Sequence, residues 1–512
     1  MVLWVDAICI NQEDTKEKVQ QILLLPRIFQ GATSTLAVLA TDDRSNRAVG
    51  ILLQIAALKL YGFDFSRWPR TLIGPRAAWV KSGMPDPDSE LWRDVCYMFR
   101  RPWFRRAWIV QESIAARTVQ FICGKWIFDW NDLHCAMEIV DRKLGMYAFA
   151  ESWRPFMILS EHREWEATSQ RWPLLHLIQN FRYVQTGKYQ RDRFFALLGL
   201  AADGDNPLFE PDYDSPLEVV VRRFAQGFVE AGYGMELLYD AGLDEQKGDS
   251  RFPSWVPDWT IETSDRGALS SAEGHGVTFS ASGRLLSRIF YDHQRDLLEV
   301  SSFLCDTIDC VSRFSNEPSQ RSRYFQELDS MIEACNHFEP DRQRRLKETV
   351  PIAGALYPES GSSLPISITE SYSAFRKVLR KDELKAKSMR GNGKKARNQT
   401  PSASINSAQR PAVIGIREKS KAYASLLDEY IVGWRFVTTV NGRCGIAPSG
   451  VLPGDMVAIF SGGKVPFILR KGFRPWGGIF LIGQCYIDGI MFGEAVKKFE
   501  GQQYLPMVAR LA

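Results

Sequence analysis

A carboxylate, a tryptophan and an arginine share one predicted helix face in the segment Arg101–Ala116, which reads RPWFRRAWIVQESIAA. In a helix, Arg105, Trp108 and Glu112 stand at positions i, i+3 and i+7, so cation, ring and carboxylate lie on one side. A buried wall beside that face would shift the pKa of Glu112 away from that of an ordinary surface acid. The alternative is an amphipathic helix whose tryptophans pack in the core and whose charges form surface ion pairs.

The opening segment MVLWVDAICI is apolar and rich in β-branched residues, which predicts a buried strand. The chain then turns polar at Asn11 and Gln12, and Asn11 is placed to cap a following helix that Pro26 should kink or end. The segment Thr33–Ala40, TSTLAVLA, predicts a second strand. Strand, helix and strand form a parallel α/β unit, in which Asp6, Asn11 and Gln12 lie at a strand end where such sheets bind ligands.

Composition is that of a soluble globular protein. Hydrophobic residues make up 45% and charged residues 24% of the 512 positions, a length sufficient for about three domains. The net charge of +4, from 64 basic and 60 acidic side chains, gives no global field that would gather nucleic acid or an anionic membrane. We expect neither a signal peptide nor a membrane span, because the apolar runs are short and interrupted. These features predict a cytoplasmic protein without a nucleic-acid partner.

The cysteines and histidines are scattered. Nine cysteines form neither a dense framework nor a C-x-x-C pair, which is typical of reduced intracellular thiols. Six histidines show no H-x-x-x-H or H-E-x-x-H spacing. The sequence therefore predicts no metal site.

Changes in composition along the chain predict four regions. They are an α/β domain over 1–150, a helical and mixed region over 151–380, a disordered basic insert over 381–421 and a β-rich module over 422–512. Within the insert, the run Lys394–Arg397 is either a nuclear-import patch or part of a solvated basic linker. In the last module, the pair Asn441-Gly442 predicts a hairpin turn.

Two long motifs resemble the signatures of the fungal heterokaryon-incompatibility (HET) domain family. Trp4–Gln12 reads WVDAICINQ, and Trp103–Glu112 reads WFRRAWIVQE, which matches W-F-x-R-x-W-x-x-Q-E. Further similar blocks are Glu17-Lys18, Arg191-Asp192, Pro211-Asp212-Tyr213 and Pro253–Trp259, and the C-terminal blocks Gly454-Asp455, Pro466–Arg470 and Gly489–Glu494 resemble the β-rich tail of large HET proteins. The resemblance therefore covers nearly the whole chain except the insert. This family resembles TIR domains, which implies a flavodoxin-like parallel sheet with flanking helices.

The resemblance also implies site residues. In TIR-like enzymes that cleave NAD, a glutamate on a helix beside an aromatic ring holds the nicotinamide ribose and stabilises the oxocarbenium-like charge. Glu112 occupies that position and is the expected catalytic residue. The residues expected to bind NAD are Asp6, Asn11, Gln12, Trp103, Arg106 and Trp108. For each of them, packing or capping is the alternative role.

The implied function is fungal self/non-self recognition and programmed cell death, with self-association or protein partners, no cofactor, and NAD as the ligand if the domain is an enzyme. Family members have a strand and a Tyr/Trp-Gly loop before the first motif, so we expect this domain to be truncated at its N-terminus. Ala37–Ala40 and Lys188–Arg193 also depart from the family pattern. The alternative is therefore a non-catalytic interaction or adaptor module, or a degenerate paralogue.

Overall fold

The computed structural model describes residues 2–60, 85–86, 89–144, 147–167, 171–242, 251–260, 269, 278–335, 338–354, 368–391, 410–472, 478–500 and 506–512. The chain forms two compact units. The first comprises Met1–Gly227 with Trp259–Ser264, and the second comprises Phe228–Asp258 with Asp265–Ala512.

The first unit is built mainly of helices around a small sheet. Its helices are α1 (Asp6–Cys9), α2 (Thr15–Gly31), α3 (Asp43–Leu60), α4 (Leu91–Phe99), α5 (Ala107–Ala115), α6 (Trp130–Leu144), α7 (Tyr147–Ala167), α8 (Leu174–Asn180), α9 (Asp192–Phe195) and α10 (Leu217–Glu230), and its strands are β1 (Thr35–Ala40), β2 (Val119–Cys123) and β3 (Trp126–Asp129). The predicted α/β class is confirmed. Helix α10 begins in this unit and ends in the second.

The sheet of the first unit has the order β1-β2-β3. Strand β1 runs parallel to β2, and β3 returns antiparallel to β2. Because side chains alternate across a strand, Ala37, Phe121 and Phe128 lie on one buried face. The opposite face leaves Val38 64% and Ile127 70% exposed. The described sheet therefore has one apolar surface inside the core and another in contact with solvent.

The opening segment is not a strand, so that prediction is wrong. It forms the short helix α1, in which the N–H of Cys9 donates to the carbonyl oxygen of Val5 at 2.8 Å, and Val2 and Ile8 are 97% and 82% exposed. The Asp6 carboxylate accepts the N–H of Ala7 at 2.8 Å, a local bond that competes with strand pairing. An apolar run makes a buried strand only when a neighbouring strand is available to pair with it.

Helix α2 begins and ends differently from the prediction. Its cap is Asp14, whose carboxylate accepts the N–H groups of Lys16 and Glu17 at 2.9 and 3.1 Å, whereas the side chain of Asn11 accepts the N–H of Glu13 in the turn before the helix. The helix also continues through Pro26 to its last residue five positions later. Pro26 is buried within the helix, where it cannot donate a backbone hydrogen bond to the preceding turn.

The second unit contains a nine-stranded sheet, which confirms a β-rich C-terminal region. Its strands are β4 (Ile289–Asp292), β5 (Leu297–Ser315), β6 (Arg435–Thr439), β7 (Cys444–Ala447), β8 (Met456–Phe460), β9 (Phe467–Lys471), β10 (Ile479–Gln484), β11 (Tyr486–Ile487) and β12 (Met507–Leu511). Strand β5 spans 19 residues and pairs with β4, β6, β8 and β12. The sheet is therefore organised around a strand that precedes the predicted module.

The helices of the second unit include both ends of the predicted basic insert. They are α11 (Gly234–Asp240), α12 (Arg321–Ala334), α13 (Pro340–Thr349), α14 (Ile368–Gly391), α15 (Arg410–Tyr430) and α16 (Glu494–Glu500). Residues 381–391 belong to α14 and residues 410–421 to α15, so these parts are helical where disorder was expected. The two helices pack through Phe375 and Tyr423, whose ring centroids lie 5.2 Å apart. Residues 392–409, including Lys394–Arg397, lie outside the described residues.

Candidate active site on helix α5

Helix α5 is held at its N-terminus by a neighbouring loop. A 3-10 turn, Pro102–Arg105, precedes it, and Arg106 is extended between the two. The N–H of Ala107 donates to the carbonyl oxygen of Gln185 at 3.0 Å, and the N–H of Gln185 donates back to the carbonyl oxygen of Arg105 at 2.5 Å. Because the helix begins after Arg106, Arg105 lies outside it. The prediction that Arg105 shares a helix face with Trp108 and Glu112 is therefore wrong, while Trp108 and Glu112 do lie on the same helix.

Glu112 lies in a tuned electrostatic environment. Burial raises the pKa of its carboxyl to about 7, Arg106 acts to lower that pKa, and Asp6 acts to raise it. Arg106 thus supplies the cation that the sequence pattern assigned to Arg105. A carboxyl group with a pKa near neutrality can hold or release a proton at the pH of a cell.

Trp108, one turn before Glu112, is fixed by a buried carboxylate. Its indole Nε1–H donates to Oδ2 of Asp192 at 3.2 Å, and the hydroxyl of Tyr213 donates to Oδ1 of the same carboxylate at 2.5 Å. The Lys18 ammonium lies 4.2 Å from the ring centroid of Tyr213. Lys18, Asp192 and Tyr213 belong to blocks that resemble the HET family. The sequence does not predict a role for them, because they lie far apart along the chain and meet only in the fold.

Three other predicted binding residues make structural contacts. Asn11 stabilises the turn before α2, and Gln12 donates from Nε2 to the carbonyl oxygen of Asp6 at 3.3 Å. Trp103 packs edge-on against the rings of Phe104 and Phe121, with centroids 5.1 and 5.4 Å away. The structure therefore brings Asp6, Arg106 and Trp108 towards Glu112. In contrast, Asn11, Gln12 and Trp103 make the packing or capping contacts that were the alternative.

A separate cavity of about 590 Å³ lies at the other end of α5. Its lining includes Ile114, Arg117, Trp130, His134 and Arg163, without Glu112. Arg163 donates to the carbonyl oxygens of Ala116 and Arg117 at 2.6 and 2.9 Å, which satisfies acceptors at the helix C-terminus. This end of the helix is therefore capped by a side chain.

Among the described residues, no group of three or more histidine, cysteine, aspartate or glutamate side chains is arranged to hold a metal ion. No helix in the described ranges is both long and apolar enough to cross a bilayer.

Both sequence motifs lie in a part of the chain that matches a known family model. Residues 1–112 match the family model described as heterokaryon incompatibility protein (HET), and residues 410–506 match the Het-6 beta-barrel domain. The first of these segments is therefore similar to HET domains and the second to Het-6 barrel domains. The chain is similar to heterokaryon incompatibility protein 6, OR allele, of Neurospora crassa, with 24% identity over 578 residues that cover 98% of this chain and 82% of the relative. No solved structure matches it.

The raised pKa of Glu112 leads to a prediction about stability and pH. The carboxyl has a pKa of 4.5 when unperturbed and about 7 in the fold, so the folded state binds the proton more tightly. The stabilising contribution is complete below the lower value and is lost as pH rises through the higher one. At pH 8 this loss is on the order of 2 kcal/mol, because one pKa unit corresponds to about 1.4 kcal/mol and partial solvent access reduces the total.

We therefore expect Glu112→Gln, which is neutral at every pH, to melt at a higher temperature than the wild type at pH 8 and to lose most of that advantage by pH 5. Thermal unfolding of the full chain at one-unit steps of pH measures the difference. Glu90→Gln is the control, since that side chain is 77% exposed. Parallel pH profiles for wild type and Glu112→Gln would contradict the assigned pKa.

Proposed function

We propose that this protein acts in the cytoplasm in fungal heterokaryon incompatibility, the recognition of self and non-self that ends in programmed cell death. The HET match includes both sequence motifs and ends at Glu112. The similarity to heterokaryon incompatibility protein 6 extends along almost the whole chain. Both comparisons support the biological role, and the chemistry of the site supports a more specific activity.

The activity we propose is cleavage of the glycosidic bond of NAD by a TIR-like first unit. The feature that carries it is the buried Glu112 carboxyl, whose pKa is raised to about 7 and responds to the charges of both Arg106 and Asp6. When the nicotinamide leaves, positive charge develops on the ribose, and an ionised Glu112 would stabilise that charge. Trp108 offers a ring one turn away, and the exposed Arg106 guanidinium offers a contact for phosphate.

Self-association is the second part of the proposal. The parallel pair β1 and β2, flanked by helices, supports a TIR-like arrangement. The exposed apolar side chains Leu36, Val38 and Ile127 supply a surface for a protein partner or a second copy. Clustering at high concentration is accordingly the condition under which we expect activity.

The test is an NAD-cleavage assay with the purified full chain at low and high concentration, in which released nicotinamide is quantified by chromatography. We expect turnover by the wild type at high concentration, turnover by the surface variant Glu90→Gln at the same rate, and background signal from Glu112→Gln. If the clustered wild type leaves NAD intact, the enzymatic part of the proposal fails.

A non-catalytic interaction module is the second candidate. It is favoured by the capping and packing contacts of Asn11, Gln12 and Trp103, which leave fewer polar groups for a ligand than the sequence suggested. Expression in a fungal host separates the two candidates. Killing by Glu112→Ala at the wild-type level, with equal expression, would support the interaction module, whereas loss of killing would support the enzyme.

A further inference from the structure

We infer that Asp192 is a positioning residue for Trp108 in the Glu112 site, an inference that rests on the proposed function for its effect on turnover. The Asp192 residue is only 6% exposed, and each of its carboxylate oxygens accepts one side-chain hydrogen bond. The donors, Trp108 and Tyr213, stand 84 and 21 residues away along the sequence. The carboxylate thus joins helix α5 to a distant segment of the same unit.

The bond from the indole fixes the orientation of the Trp108 ring. An indole has a single N–H donor, so one acceptor in the plane of the ring defines how the ring is turned. Tyr213 holds the other carboxylate oxygen at 2.5 Å, which keeps the acceptor itself in place. Since Trp108 and Glu112 are four residues apart on α5, the orientation of this ring defines one wall beside the Glu112 carboxyl.

Burial has the largest effect on the Asp192 carboxyl and leaves its pKa above the usual value, although its polar neighbours oppose that shift. Burial raises the pKa of Asp192, while the hydrogen bonds from Tyr213 and Trp108 and the charges of Lys18 and Arg191 act to lower it. The Lys18 ammonium lies 4.2 and 4.3 Å from the ring centroids of Tyr213 and Tyr189. The carboxylate offers an acceptor oxygen to each of its two donors, whereas the amide of asparagine offers a single acceptor oxygen.

The contacts of Asp192 are not those of a local helix cap. It is the first residue of α9, but both of its side-chain bonds reach other segments and neither goes to the backbone of that helix. A residue needed only to start α9 would bond to the N–H groups of its first turn. The arrangement points instead to control of the Trp108 ring.

The chain contains a matched control in the same unit. The indole N–H of Trp153 donates to Oδ1 of Asp141 at 3.0 Å, a bond of the same type between α6 and α7. Asp141→Asn therefore weakens one tryptophan–aspartate bond outside the Glu112 site, and Asp192→Asn weakens the bond inside it.

The test uses the full chain labelled with ¹⁵N-tryptophan. The indole resonance of Trp108 is identified by its loss in Trp108→Phe. We expect Asp192→Asn to move this resonance and Asp141→Asn to leave it in place.

NAD turnover is the second measurement. We expect Asp192→Asn to lower kcat at least tenfold with a smaller change in KM. We expect the double variant Asp192→Asn with Trp108→Phe to be no slower than the slower single variant.

Several results would overturn the inference. They are an unmoved Trp108 resonance in Asp192→Asn, a fall in turnover that only tracks the loss of folded protein, and an equal fall in Asp141→Asn. If the wild type itself cleaves no NAD, the proposed enzymatic function fails, and the position of the indole resonance alone then decides whether Asp192 holds Trp108.

Discussion

Replacing Asp306 by alanine is expected to destabilise the second unit by about 3 kcal/mol, the range in which removal of one partner of a buried ion pair falls. The Asp306 side chain is fully buried on β5. It accepts hydrogen bonds from the hydroxyl of Thr439 at 2.8 Å and the N–H of Asn441 at 3.2 Å, and it pairs with the guanidinium of Arg443. Without the carboxylate, these donors lose their shared acceptor, and Arg443 is left largely buried without its charge partner.

Thermal or denaturant unfolding of the full chain, followed by near-ultraviolet circular dichroism, measures this loss. Asp292→Ala is the control, because Asp292 also accepts the N–H groups of Gln294 and Arg295 but does so at the surface, where water replaces the lost bonds. We expect the control to melt close to the wild type. Equal melting temperatures for Asp306→Ala and Asp292→Ala would contradict a central role of Asp306 in joining β5 to the β6–β7 hairpin.

The second large effect is expected from Gly199→Ala, which should destabilise the first unit by about 2–3 kcal/mol through overpacking. A Cβ atom at this position would stand 2.1 Å from Cγ of Pro26 on α2 and 2.4 Å from Nε2 of Gln111 on α5. The Gln111 amide is the end of a flexible side chain, whereas the Pro26 ring is rigid and cannot rotate away. Helix α2 and the segment that carries Gly199 must therefore shift apart.

A second substitution distinguishes this mechanism from a general loss of stability. Pro26→Ala removes the ring atom that the new Cβ would meet, so we expect the double variant Pro26→Ala with Gly199→Ala to recover a large part of the lost melting temperature. Gly187→Ala is the control glycine, because its Cβ would have no atom within 4 Å. Strict additivity of the two substitutions would show that contact with Pro26 is not the cause.

Local signals predicted several elements well. The strand expected over Thr33–Ala40 is present and begins two residues later, at Thr35. The predicted turn at Asn441-Gly442 joins β6 to β7, with Gly442 at φ 70°, a conformation that favours glycine. Periodicity and turn chemistry are properties of neighbouring residues, so they can be read without knowledge of the rest of the fold.

Other elements depended on distant partners, and the sequence misassigned them. The opening apolar segment lacks the neighbouring strand that its pattern suggested, and α1 forms instead. The ends of the basic insert are helical, and α14 and α15 bury Phe375 and Tyr423 against each other. Composition describes how often residues occur, but burial depends on which surfaces meet after folding.

The sequence alone determined that this chain resembles the HET family and that Glu112 is the residue to examine, because both follow from residue types at fixed spacing. Only the tertiary structure decided the surroundings of that carboxyl. The cation that acts on Glu112 is Arg106 and not Arg105, and Asp6 also influences this carboxyl. Trp108 donates a hydrogen bond to Asp192, which lies 84 residues further along the chain. The physical reason is that a pKa and the orientation of a ring depend on distances in space, which the order of residues does not specify.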